Sequence, residues 1–133
     1  MKTALTSMFI LLFTVFTAND SIAQQEKKQQ PAGIEVIQFH SEHRCVTCLK
    51  IEKLTKRTLT KYFPTIPFKL LNVDDKKNIK QAEMFEASGT ALYLYNPKTG
   101  QKKDLTDVAF MKAGDEKKFE AALKKYIEDF IKG

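Results

Sequence analysis

Ile34-Glu35-Val36-Ile37-Gln38-Phe39-His40, then Ser41-Glu42-His43-Arg44, then Cys45-Val46-Thr47-Cys48, is the stretch in which the chain changes its period. The first seven residues are rich in β-branched and aromatic side chains, which predicts a strand over 34–40. The next four are polar and predict a loop. From Cys48 onward Ile51, Leu54, Thr58, Leu59 and Tyr62 recur three or four residues apart. That spacing places them on one helical face, and Pro64 ends the helix. The two cysteines therefore fall at a strand-loop-helix junction, with Cys45 near the helix N-terminus.

Downstream, residues 68–73 predict a second strand, 78–87 a short helix and 91–95 a third strand. Asn96-Pro97-Lys98-Thr99-Gly100 reads as a turn, followed by a fourth strand over 101–105. Asp115 can cap a final helix in which Phe119, Ala122, Leu123, Tyr126, Ile127 and Phe130 form a continuous apolar stripe. The order β-α-β-α-β-β-α predicts an α/β domain, a central mixed four-stranded sheet flanked by helices. No internal repeat is visible.

Upstream, the N-terminus reads as an address. Lys2 gives a positive start, residues 8–16 are nearly all apolar, and Ser21-Ile22-Ala23 puts small residues where a signal peptidase needs them. A signal peptide over 1–23 is expected, cleaved after Ala23. The alternative, a retained anchor, meets an apolar run well short of the roughly 20 residues that span a bilayer. Residues 24–33 are polar and close on Pro31-Ala32-Gly33, a flexible linker, and 34–133 form one domain. About a hundred residues support a single core and an expected monomer.

The net charge is +6, from 22 basic and 16 acidic residues. Residues 1–23 carry one lysine and one aspartate, so cleavage leaves the balance unchanged. Only Arg44 and Arg57 are arginines, and the lysines are scattered among acids. No nucleic acid is expected as a partner, because its readers favour clustered arginine forks. A solvated surface explains the lysines, and it could steer acidic partners or anionic membranes.

Two cysteines three positions apart in an exported chain carry more information. As a staple the pair is poor: closing a four-residue loop is worth about 2 kcal/mol, against nearly 5 for a loop of about 100 residues. As a redox switch it is good, because either sulfur can attack a mixed disulfide formed on the other. Unpaired amide N–H groups at the helix start stabilise a thiolate, and Arg44 and His43 add positive charge. Cys45 is therefore expected to be the reactive thiol, with a pKa below that of free cysteine, and Cys48 the more buried resolving thiol.

His40, His43, Cys45 and Cys48 also support a rival, a site for zinc, copper or arsenite. Their crowding into nine residues disfavours a closed metal site. A third reading is a redox-inactive binding module. No Gly-rich phosphate loop, serine triad or paired carboxylates appear, the aromatic residues sit at core spacing, and no cofactor is expected.

With these residues in view the chain resembles the thioredoxin-like superfamily over nearly all of 33–132. Cys45-Val46-Thr47-Cys48, Leu71-Asn72-Val73-Asp74-Asp75 and Glu86-Ala87-Ser88-Gly89-Thr90-Ala91-Leu92-Tyr93-Leu94-Tyr95 carry the resemblance. Within it, Phe39-His40 and Arg44-Cys45-Val46-Thr47-Cys48-Leu49-Lys50-Ile51-Glu52 look like the ArsF-like family of small exported proteins of Gram-negative bacteria. The resemblance implies a thioredoxin-like fold, thiol-disulfide exchange and a periplasmic location. Its partner would be a thiol- or disulfide-bearing protein or small molecule, with a membrane electron donor as one source of reducing power. Two departures stand out: Ala91 replaces the family's cis-proline, so a trans bond is expected there, and Gln38 replaces a buried acid. The loop from Phe39 to Cys45 is also one residue longer than the family's. A glutamine amide cannot take a proton from Cys48, which leaves water, His40 or His43 as acid or base.

Overall fold

The computed structural model describes residues 33–133. The expected signal peptide at 1–23 and residues 24–32 of the linker lie outside the described residues. β1 (Glu35–His40) lies inside the sheet, parallel to β2 (Phe68–Asn72) and antiparallel to β3 (Ala91–Tyr95). β4 (Lys102–Asp104) joins β3 antiparallel, giving the strand order β2-β1-β3-β4.

The position of β1 explains its composition. Val36, Ile37, Gln38 and Phe39 are all fully buried, because the strand has a neighbour on each side and helices over both faces. Alternation along the strand divides the core in two. Ile34 and Val36, with Leu92 and Leu94 of β3, face Ile51, Leu54 and Leu59 of α1 (Val46–Tyr62). The same core takes in Ala109 of α3 (Thr106–Lys112) and Phe119, Leu123 and Ile127 of α4 (Glu116–Lys132). Ile37 and Phe39 face the other way, against Ala82 of α2 (Ile79–Met84), Phe85 and Ala91. Phe39, Phe85 and Tyr93 interlock there with centroids 5.0 to 6.1 Å apart, tilted or edge-on. Ring quadrupoles favour that geometry over flat stacking.

The predicted mixed four-stranded sheet flanked by helices is present, and four details differ from the sequence reading. α1 starts at Val46, two residues before the first periodic position, because Cys45 caps it. The expected helix over 78–87 is a 3-10 turn, Lys76–Asn78, running into α2, which stops at Met84. Glu86 then adopts a left-handed backbone with φ 54°, and the Ala87 N–H closes the end on the Ala82 carbonyl at 2.9 Å. Glycine or asparagine usually marks such a stop, so a glutamate gave no signal. β4 is three residues, all exposed and charged, a composition that discourages pairing along a sheet edge.

The fourth difference is α3, which the sequence reading did not assign. Its Phe110 and Met111 are exposed and only Ala109 is buried, so no apolar stripe marks it. Packing holds it instead: Leu105, Ala109 and Ala113 seat against the α4 core. The Thr106 hydroxyl accepts the Leu92 N–H at 3.1 Å, extending the β3 edge.

Candidate functional site: a disulfide at the start of the first helix

Cys45 and Cys48 are joined in a disulfide with Cα atoms 5.2 Å apart. Cys45 is the N-cap of α1, in extended backbone at φ −74° and ψ 159°. Its Sγ accepts the Cys48 N–H at 3.1 Å, and its carbonyl accepts the Leu49 N–H at 3.1 Å, the first helical bond. A serine or aspartate oxygen commonly fills this place; here a sulfur does, facing the unpaired amides and the positive end of the helix. Helical geometry turns residue 48 inward, so Cys48 is only 4% exposed while Cys45 is exposed. An external thiolate can reach one sulfur far more easily than the other.

Beneath the pair lies Gln38, fully buried on the α1 face of β1. Its Nε2 donates to the Cys48 carbonyl at 3.0 Å, and its Oε1 has no partner among the described residues. The position the resemblance gives to an acid therefore anchors the Cys48 backbone.

Ala91 lies opposite Phe39 in the register and packs with it on the α2 side of the sheet. Strand alternation turns its side chain away from the cysteines. The residue before it makes the contact: the Thr90 hydroxyl donates to Cys48 Sγ at 3.0 Å. All described peptide bonds are trans, that between Thr90 and Ala91 included. Thr90 stood inside the quoted motif, and its hydroxyl was the signal available there.

The loop before Cys45 is clamped, where it leaves β1, to the end of β2. Asp74 Oδ2 accepts the Glu42 N–H at 2.7 Å, and the Val73 N–H donates to the His40 carbonyl at 2.8 Å. Asp74, just past the end of β2, ties the loop to that strand. Arg44, expected to lend its charge to Cys45, is engaged by a carboxylate. It pairs with Glu52, which also takes Lys56, joining the loop to α1. Burial pushes the Glu52 carboxyl up, but the hydrogen bonds from Lys56 and Arg44 outweigh it and hold the group below the usual carboxylate range.

His40 is half-buried at the end of β1, and its Nδ1 lies 2.8 Å from the Ser41 carbonyl. A carbonyl only accepts, so Nδ1 carries the proton in that contact. His43 is exposed, and the loop uses its carbonyl, which takes the Ser41 hydroxyl at 3.1 Å. Neither imidazole is hydrogen-bonded to a sulfur among the described residues. No three His, Cys, Asp or Glu side chains are grouped as metal ligands among the described residues.

Fold and site together define an α/β protein with a disulfide-bonded Cys-x-x-Cys pair between a central strand and its helix. No family model matches the chain, and no curated protein or solved structure matches it.

Proposed function

We propose that this chain is a thiol-disulfide oxidoreductase of thioredoxin-like type, with Cys45 as nucleophile and Cys48 as resolving thiol. The observation that carries the reading is the asymmetry of the pair: an exposed sulfur on a helix N-cap is joined to a buried sulfur one turn along. In exchange, an external thiolate bonds to Cys45 Sγ, the internal disulfide opens, and Cys48 later displaces the external sulfur. The strand order, with parallel β1 and β2 and antiparallel β1, β3 and β4, supports the thioredoxin-like reading alongside the sequence motifs.

The leader-like N-terminus supports export to the periplasm, an oxidising compartment in which such a pair can cycle against a thiol-bearing protein or small molecule. A glutathione-buffered redox titration tests the proposal. One reversible two-electron transition is expected. A disulfide that stays closed across the accessible range would make it a structural element and overturn the reading.

A further inference from the structure

When the disulfide opens, an electron pair must be held on the buried sulfur. Cys48 is 4% exposed, so water stabilises an anion there poorly, and an ion without hydrogen bonds is costly in such a place. The buried amide of Gln38 is committed to the Cys48 carbonyl at 3.0 Å and offers that sulfur nothing. Among the described residues, the polar side chain that does reach it comes from the residue just before β3: Thr90 Oγ1 lies 3.0 Å from Cys48 Sγ. Its backbone is held in place, because the next residue pairs with Phe39 and the one after donates to Thr106.

We propose that the Thr90 hydroxyl is a catalytic group of this site, donating its hydrogen bond to Cys48 Sγ as that atom leaves as a thiolate. The inference rests on the thiol-disulfide reading above. The step balances without another cofactor. An external thiolate bonds to Cys45 Sγ, the Cys45–Cys48 bond breaks, and its electron pair passes to Cys48 Sγ. One negative charge is thereby moved from the incoming sulfur to Cys48. Thr90 keeps its proton, and its hydrogen bond becomes charge-assisted and stronger. In the reverse direction Cys48 thiolate attacks Cys45 Sγ and expels the external thiolate, aligned by the same hydroxyl. For full reduction, a second external thiolate takes the external sulfur and leaves Cys45 as thiolate.

The test compares Thr90→Val, which keeps the shape and loses the donor, with Thr90→Ser, which keeps the donor. Reduction of the oxidised protein by dithiothreitol is timed from pH 5 to 9. The alkylation midpoint of Cys48 is measured in a Cys45→Ser background. Thr90→Val is expected to slow reduction roughly tenfold and raise the midpoint by about one pH unit, the size expected for a lost hydrogen bond to a charged group. Thr90→Ser is expected to stay within about threefold of the parent. Thr90→Ala replaces Thr90→Val should the latter misfold.

A hydroxyl-free variant with the parent rate and midpoint overturns the proposal, as does an equal loss in valine and serine variants, which would assign the effect to shape. A parent protein with no reversible transition overturns the thiol-disulfide reading itself, so the two failures are told apart.

Discussion

Cys45 and Cys48 share a bond and differ in access, and chemistry follows from the difference. Once reduced, Cys45 has the N-cap amides to stabilise its anion. Its iodoacetamide rate-versus-pH midpoint is expected below the free-thiol value of roughly 8.5; a midpoint at that value would remove the argument from the helix end. Cys48→Ser is expected to accumulate a mixed disulfide through Cys45, visible by mass spectrometry, whereas Cys45→Ser does not cycle. Gln38 gives a pH-dependent prediction. Gln38→Glu would place a carboxyl where exposure is 0%, and burial raises a carboxyl pKa. With the folded pKa above the unfolded value of about 4.3, the acid is tolerated below that value and becomes costly as pH rises toward the folded pKa. Urea midpoints should show a loss at pH 8 larger by about 2 kcal/mol than at pH 4. Equal losses at both would mean that water reaches the site.

Elements are joined here by a few side chains that periodicity does not reveal. Glu52 links Arg44, in the loop, to Lys56, one turn further along α1. Its folded pKa is depressed, so its stabilisation is complete above the unfolded value near 4.5 and is lost as pH falls through the lower folded value. Glu52→Gln is expected to cost about 1 kcal/mol near pH 7 and nothing in strong acid. Parallel urea titrations at several pH values check both the size and the direction. At the end of α2, Glu86 carries a positive φ of 54°, a conformation glycine adopts without a Cβ penalty. Glu86→Gly should therefore stabilise the protein by roughly 0.5 to 1 kcal/mol. A lower urea midpoint would show that Glu86 makes a compensating contact in solution.

The whole molecule depends on a helix far from the cysteines in sequence. α4 packs along α1 through Phe119, Leu123 and Ile127, and Arg57 and Lys61 of α1 reach Glu116 and Glu120 across the same seam. Ile127 is fully buried, so Ile127→Ala should cost about 2 to 5 kcal/mol in urea unfolding. Because α1 presents both sulfurs, that loss should also broaden the spread of Cys48 alkylation rates. Reduction of the disulfide, by contrast, opens a loop of only four residues. The reduced protein should remain folded, less stable by no more than about 2 kcal/mol.

Much of this was legible in the residues because the signals were local. A run of β-formers followed by a 3.6-residue period places a cysteine pair at a strand-helix junction, whatever the rest of the chain does. Gln38 in β1, the Asp115 cap and the α4 stripe were readable for the same reason. Thr90 on the buried sulfur, Asp74 on the loop amide, Glu52 on Arg44 and the seating of α3 were not, because each joins groups that folding brings together. Ala91 shows the boundary most sharply: the chain names the residue, but the pleat of β3 turns it to the far face and leaves its neighbour to meet the sulfur. Spacing along a chain records which residues share a face of one element; contact between elements depends on register and packing, which no single segment encodes.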